Sequence, residues 1–495
     1  MFKFEAFEPA HLLEFLWQGL LDEYIEELLK RWELFSPKIQ FELILYVRER
    51  LKESLSPQIL SQALKIRVSD AKKIIVDKGK IFEIFLVESE ENKTKTKTLV
   101  RTCKALVIPK TSKIITNLPH IRNYLLTLKK FLGKIFAVFF EDSFSGKSFM
   151  LPLACALSIE NIPEDLRFTG ALNTKGDILE VDHLKEKIEF ANSHGLRLIT
   201  PLQVKRFNTI KAYLERDKWD IPFYITSAGY DEFSNFLKAF IGEKTFEEFE
   251  IIKGLELFYG LQEDTFYQLT GQLKTEEDWK KVCQVFYARY YKIVSTLPGN
   301  KIFHIGIRGA VALSFALGVL YSHFYPFVFY HYQAKEGETK YHTIPINEPR
   351  YLKERKSQYN YIHKFFDHNG EDLVILLNFG HHEAVADVKS YAFSHLNNPS
   401  FLVLEAKEKG NLPIESFSEA AKECASAIQD IRSQYSMKTY HFFFSCPVPI
   451  AFMVGLAFGH YVDGWIYNFQ KEGSTYQPVL EFRFLRKIRE GNVRN

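Results

Sequence analysis

Gly146-Lys147-Ser148, followed by Phe-Met-Leu-Pro-Leu-Ala-Cys-Ala-Leu157, sets a serine hydroxyl at a turn that opens an apolar helix. Downstream, Lys185 stands near the start of another expected helix, between Leu184 and Ile188. A serine and a lysine can do nucleophilic chemistry together when the amine is able to take the hydroxyl proton. Free lysine titrates near pKa ~10.4 and a useful base near ~7–8, so a site must supply roughly 4 kcal/mol of bias. Burial would supply it, because a low dielectric disfavours the ammonium, and the positive end of a helix dipole pushes the same way. On this reading Ser148 is the nucleophile and Lys185 the base. Ser143 and Ser145 compete for the first role. The plain structural alternatives are an N-cap serine and a solvated lysine in the run Lys185-Glu186-Lys187.

The elements that must hold these residues follow from hydrophobic pattern. Lys134–Phe140 reads as a buried strand before the serine turn, and Pro152 fits only near the first turn of a helix starting at or just after Ser148. Residues 168–201 read as a strand, a turn at Thr174-Lys175-Gly176, a short strand, the helix carrying Lys185, and a strand Leu196–Thr200. Thr169-Gly170 lies at the end of the first of these. The order strand, Gly-Lys-Ser, helix also imitates a phosphate-binding loop. That motif needs glycine five residues before Gly146, where the chain has Glu141. A helix at 202–217, a strand Ile221–Thr226, a helix at 229–241 and a helical stretch at 246–296 come next.

Upstream, apolar residues Leu12, Leu13, Leu16, Leu20, Tyr24, Leu28 and Leu29 recur at helical spacing. Ser36-Pro37 and Ser56-Pro57 each read as an N-cap with proline at the first helical position. Short helices followed by the strands Lys80–Glu88 and Thr98–Ile108, with a polar run at 90–98, give the outline of a winged helix. The last 200 or so residues hold an internal repeat. Residues 304–333 align without gaps on 441–470, matching His304 with His441, Val311 with Val448, Phe315 with Phe452, Gly318 with Gly455, His323 with His460, Tyr330 with Tyr467 and Gln333 with Gln470. Each copy reads as strand, loop, helix, parallel strand.

A chain of 495 residues exceeds a single core and is expected to divide into several domains. Its net charge of +3 makes no global electrostatic case for nucleic acid or a membrane surface. Cys103, Cys155, Cys283, Cys424 and Cys446 form no CxxC pair, which suits neither a zinc site nor a disulfide frame and fits a reducing cytoplasm. No 18-residue uncharged apolar run is present, so a soluble, cytoplasmic chain without metal or cofactor is expected.

Residues 168–201 closely resemble the core of the Lon-type protease domain, in which the lysine opening this helix is half of a Ser–Lys dyad. Gly146-Lys147-Ser148 and the small-residue helix after it resemble the serine signature of that family. The resemblance makes Thr169 the threonine that supports the lysine. Gly170-Ala171 and Asp182-His183 depart from the family's Gly-Glu and Gly-Gly, and no ATPase module accompanies the domain. Residues 275–495 resemble the SAVED domain, two fused CARF-like Rossmann units that bind cyclic oligonucleotides. The likeness is strongest at Tyr440–Gly455, Trp465–Phe469, Tyr476-Gln477-Pro478 and Leu373–Phe379, with His381-His382 and Asp387-Val388. Ligands of such sheets sit at the carboxyl ends of the strands, here Arg308-Gly309-Ala310 and Ser445-Cys446-Pro447. Gly309 admits a phosphate to the backbone, Arg308 can pair with it, and His381 lines or flanks the pocket.

Together the two halves resemble the CRISPR-associated SAVED–Lon proteases (the CalpL family). That resemblance implies a multidomain α/β chain: an N-terminal helical segment at 1–80, an α+β Lon-type domain at 81–245, a helical connector at 246–274 and a SAVED domain at 275–495. It also implies an ATP-independent Ser–Lys endopeptidase of antiviral type III CRISPR defence. Cyclic oligoadenylate, cA4 first, would activate it through head-to-tail self-association. Its substrate would be a co-encoded, anti-sigma-like partner protein. The alternatives are an inactive cyclic-nucleotide sensor or adaptor and a DNA-binding regulator.

Overall fold

The computed structural model describes residues 8–491, except 93–94, 228–230, 243–250, 336–337, 381–383, 411 and 471–472. The chain forms two compact units, Met1–Glu215 and Arg216–Asn495.

The first unit begins with helices α1 (Pro9–Trp17), α2 (Ile25–Lys30), α3 (Pro37–Arg50), α4 (Pro57–Leu64) and α5 (Val68–Val76). Helices α3 and α4 start with Ser36 and Ser56 at the N-cap and proline at N1, as expected, although neither serine side chain caps the backbone. A long hairpin follows, β1 (Lys80–Asn92) and β2 (Lys95–Pro109), then β3 (Ile115–Thr116), α6 (Arg122–Leu132) and β4 (Phe136–Phe140). These strands make one sheet in the order β1-β2-β4-β3. The hairpin is therefore no free wing, because β2 pairs along β4 from Ala105–Phe140 to Pro109–Phe136. Nor are the first 80 residues a separate domain. Leu28, Phe41, Ile44, Val47 and Ile74 share one core with Leu106, Ile108, Ala137 and Phe139, so the five helices cover one face of this sheet.

Strand β4 is buried along its whole length because both faces are covered. Phe140 packs edge-on against Phe149 at 5.6 Å on the side away from the helices. That side carries α7 (Met150–Ser158), β5 (Leu166–Phe168), β6 (Ala171–Leu172), β7 (Ile178–Leu179), α8 (Leu184–Ser193), β8 (Arg197–Ile199) and α9 (Phe207–Leu214). β5 runs parallel to β8 and β6 antiparallel to β7.

The second unit contains β9 (Lys218–Thr226), α10 (Asp231–Ile241), α11 (Ile251–Tyr259), β10 (Tyr267–Leu269), α12 (Glu276–Thr296), β11 (Asn300–Arg308), α13 (Val311–Leu320), β12 (Phe327–Lys335) and β13 (Glu338–Ile346). Its sheet order is β10-β9-β11-β12-β13. This moves two sequence-based boundaries. β9 and α10 were expected in the domain ending at 245, yet β9 pairs with β11 over its full length, from Lys218–Asn300 to Thr226–Arg308. The expected all-helical stretch 246–296 contains β10, which adds to β9.

A second sheet, in the order β14-β16-β15-β17-β18-β19, uses β14 (Ile362–Asp367), β15 (Asp372–Asn378), α14 (Val385–His395), β16 (Ser400–Ala406), α15 (Phe417–Gln434), β17 (Thr439–Ser445), α16 (Val448–Phe458), β18 (Asp463–Gln470), β19 (Thr475–Glu481) and α17 (Phe482–Arg489).

The repeat is physical. β11-α13-β12 and β17-α16-β18 are parallel strand–helix–strand units. In each, a buried histidine meets a tyrosine of the next strand: His304 Nδ1 lies 3.1 Å from the Tyr330 hydroxyl and His441 Nδ1 2.9 Å from that of Tyr467. The two helices pack on each other through reciprocal glycines. A Cβ at Gly318 would fall 2.0 Å from the Phe452 carbonyl oxygen, and one at Gly455 would fall 2.2 Å from that of Phe315. Among the described residues, no helix is long and apolar enough to cross a membrane.

Candidate functional site

Ser148 lies in the turn between β4 and α7, half-buried. Hydrogen bonds across the turn fix it: Gly170 N–H donates to the Ser148 carbonyl at 3.2 Å, and Leu151 N–H donates to the Gly170 carbonyl at 3.1 Å. Position 170 has no room for a side chain, since a Cβ would meet Ile178 at 2.8 Å and Leu151 at 3.3 Å. Thr169, buried, is held by its N–H on the Ile199 carbonyl at 3.0 Å. Gly146 adopts φ +105° with open space around it, which lets the loop before the serine turn outward.

Ser148 lines a cleft of about 730 Å³, and one lysine of α8 lines it with Ser148. That lysine is Lys187, and Lys185 has a different place. The Lys185 side chain is 86% exposed, with its ammonium 3.9 Å from Glu189, the i,i+4 partner on the outer face of the helix. The expectation that Lys185 is buried is corrected by this exposure. Lys187 is 4% exposed and shares the inner face of α8 with fully buried Ala191, one turn on, which packs with Phe85 and Leu198. Desolvation pulls the Lys187 ammonium down to about 8, with Asp182 and Glu186 pulling the other way.

The remaining cleft walls come from several elements. Ser143, Phe144, Ser145 and Lys147 form the loop side, Phe85 to Glu88 of β1 the opposite side, and Glu180 to His183 the approach to α8. His183 caps α8 in the left-handed region at φ +57°, and its carbonyl accepts the Lys187 N–H at 3.2 Å. Arg101, not singled out from the sequence, crosses the rim, its guanidinium 2.6 Å from both Glu88 and Asp142. The cleft thus brings together a turn-held hydroxyl and a lysine whose neutral form is accessible near neutral pH. Ser143 and Ser145 are present in the same wall.

In the second unit, the residues expected to meet a nucleotide sit at the carboxyl ends of β11 and β17. Arg308 ends β11, but it is ion-paired with Glu232 of α10, whose second oxygen accepts from Thr226 at 3.0 Å. The Arg308 guanidinium also lies over the Tyr332 ring at 4.4 Å. Gly309 has open space about it, and Ala310 is the N-cap of α13. Ser445 ends β17, and its carbonyl accepts N–H bonds from Phe379 at 2.6 Å and Gly380 at 2.8 Å. Cys446 is half-buried with its thiol pushed up by desolvation, and Pro447 is the N-cap of α16. His381 lies outside the described residues. Asn378, at the end of β15 beside Ser445, was not anticipated. It is fully buried, its amide nitrogen donates to Glu405 at 3.2 Å, and its amide oxygen has no partner among the described residues.

Comparison with known proteins bears on this second unit. Residues 351–482 match the family model described as "SMODS-associated and fused to various effectors sensor domain", or SAVED. No curated protein matches the chain. Among solved structures, it is similar to an Acinetobacter baumannii Cap4 SAVED/CARF-domain containing receptor with the cyclic trinucleotide 3'3'3'-cAAA, at 16% identity and a TM-score of 0.34 over 42% of this chain and 44% of that one. The same receptor with 2'3'3'-cAAA gives 15% identity and 0.35 over 53% and 51%. A Moraxella osloensis Cap4 receptor gives 15% and 0.31 over 53% and 50%. The chain thus spans about half the length of each. Residues 351–482, which span the sheet β14–β19, are a SAVED sensor domain.

Proposed function

We propose that this chain is a peptidase switched by a cyclic oligonucleotide, with Ser148 as nucleophile and Lys187 as general base. The observation that carries the reading is the buried Lys187, its pKa down to about 8, in one cleft with Ser148. The neutral amine takes the Ser148 hydroxyl proton as the oxygen attacks the scissile carbonyl carbon. The leaving amine then takes that proton from Lys187, and an activated water hydrolyses the acyl-enzyme. The Ser148 and Phe149 N–H groups, just before α7, would serve the developing oxyanion. Thr169, its N–H on the Ile199 carbonyl, is read as the residue that supports the lysine.

The sensor half is read as taking cyclic oligoadenylate at the carboxyl ends of β11, β15 and β17, where Gly309 admits a phosphate. Arg308 joins it once a phosphate competes with Glu232. Activation by head-to-tail association of cytoplasmic copies, and cleavage of a co-encoded partner in type III CRISPR defence, complete the reading. Moving from about 1% to 99% active requires the ligand to favour the active state by roughly 5.5 kcal/mol.

The test uses the full chain with a panel of cyclic tri- and tetraadenylate, a peptide library and the co-encoded partner as substrates, and mass spectrometry as readout. Cleavage should require a cyclic ligand and fall at least about a thousandfold in Ser148→Ala. Ligand-dependent cleavage that survives in Ser148→Ala but is lost in Ser143→Ala or Ser145→Ala would move the nucleophile to that serine.

A further inference from the structure

The end of the second unit opposite the strand-to-helix loops carries a repeated feature that the sensor reading does not use. In a parallel strand–helix–strand unit, the helix-to-strand loop lies at the far end of the sheet from the strand-to-helix loop. Both copies place a histidine–aromatic dipeptide there: His323-Phe324 before β12 and His460-Tyr461 before β18, at equivalent positions of the repeat. The rings of each dipeptide are in tilted contact, with centroids 4.4 Å apart in the first and 4.0 Å in the second. Phe324 is 64% exposed and Tyr461 is 74% exposed, among the largest exposures of any big apolar side chain here.

Cations join the two dipeptides. The Arg350 guanidinium lies 4.9 Å above the Phe324 ring. Arg489 of α17 donates to the Val319 carbonyl at 3.1 Å, at the end of α13, and the same nitrogen lies 3.3 Å from His460 Nδ1. It therefore ties the first loop to the second. Arg486 donates to the His460 and Val462 carbonyls at 3.2 and 2.7 Å. Its acidic contact is Asp463 at 3.2 Å. Burial lowers the pKa of His323 and of His460, and Lys353, Arg350 and Arg489 at the first, with Arg489, Arg486 and Lys353 at the second, push the same way, so several cations gather on this face. The chain's small net charge of +3 conceals it.

Exposed rings on which bases can stack, flanked by cations that can follow a phosphate backbone, are what a single strand needs and a duplex cannot use. We propose that this face, built on Phe324 and Tyr461 with Arg350, Lys353, Arg486 and Arg489, binds single-stranded nucleic acid. The site is separate from the nucleotide loops and does not depend on the peptidase reading.

The experiment measures fluorescence anisotropy of the full chain with single strands of about ten nucleotides, RNA and DNA of one sequence, and with the corresponding duplex. Single strands should bind in a salt-dependent manner and more tightly than the duplex. The RNA and DNA arms decide which strand the face prefers. The double variant Phe324→Ala/Tyr461→Ala should weaken binding at least about tenfold. Both side chains are exposed, so an unchanged thermal melt will show that the fold is kept, and the charge reversal Arg350→Glu supplies a second, independent variant. Unaltered affinity in both variants, preference for duplex, absence of binding, or displacement of the strand by cyclic triadenylate would each overturn the proposal.

Discussion

The cleft of the first unit and the strand-end loops of the second both depend on a cation, and they treat it in opposite ways. In the cleft, Lys187 is buried and desolvation outweighs its acidic neighbours Asp182 and Glu186, so its charged form is held at a cost and its pKa falls to about 8. At the loops, Arg308 keeps a carboxylate partner, Glu232, and an aromatic ring beneath it. A buried amine whose desolvation outweighs its acidic neighbours is primed to give up a proton, which suits a base. A compensated guanidinium stays charged and is released only when a stronger anion competes, which suits a ligand-gated contact. On the proposed function, the same charge would serve chemistry in one unit and recognition in the other.

Removing the buried amine should have the largest effect. Lys187→Met should stabilise the fold at pH 7 by about 3 kcal/mol, since the folded chain no longer holds a lysine shifted from its usual value. The sign fixes a pH window as well. Between about pH 8 and the free-lysine value, the unfolded chain keeps a proton that the folded chain has released, so wild-type stability rises with pH there. Below about pH 8 the penalty is fully present. Denaturant melts across this range should show a stability that rises more steeply with pH in wild type than in Lys187→Met; a parallel slope in both would mean that Lys187 is not desolvated.

The reverse holds for the paired cation. Arg308→Ala strands the Glu232 carboxylate and should cost about 1–2 kcal/mol, discounted because the guanidinium is 40% exposed. Calorimetry should show the same variant binding cyclic oligoadenylate at least about tenfold more weakly. Unchanged affinity would place the ligand away from β11. The smallest effect belongs to Lys185→Met, a surface change expected to stay within about 0.5 kcal/mol in a thermal melt. A larger loss would mean that its exposed pair with Glu189 matters more than its geometry suggests.

Much of this architecture could be read from residue pattern. The repeat at 304–333 and 441–470 was visible because the paired histidines, tyrosines and glycines each do the same packing work in both copies. The turn that carries Ser148 was legible from the glycine and the helix after it. Which of Lys185 and Lys187 is buried was not, since both sit in one Lys-Glu-Lys run and only the rotation of α8 against the sheet separates them. A helical reading of the two faces would have helped: Lys185 aligns with Glu189, a solvent pair, whereas Lys187 aligns with Ala191, a core residue. Domain limits were misplaced for a related reason. Periodicity identifies 221–226 as a strand without saying which sheet it joins, and amphipathic helices before residue 80 do not announce the surface they cover. The Arg308–Glu232 pair was hidden because its partners come from separate elements.

The most direct test of the account is the pH dependence of ligand-activated cleavage in wild type, Lys185→Met and Lys187→Met. The account predicts a rate that rises through about pH 8 in wild type, an unchanged profile in Lys185→Met, and loss of cleavage at every pH in Lys187→Met. Cleavage retained with the same profile in Lys187→Met, and lost in Lys185→Met, would contradict it.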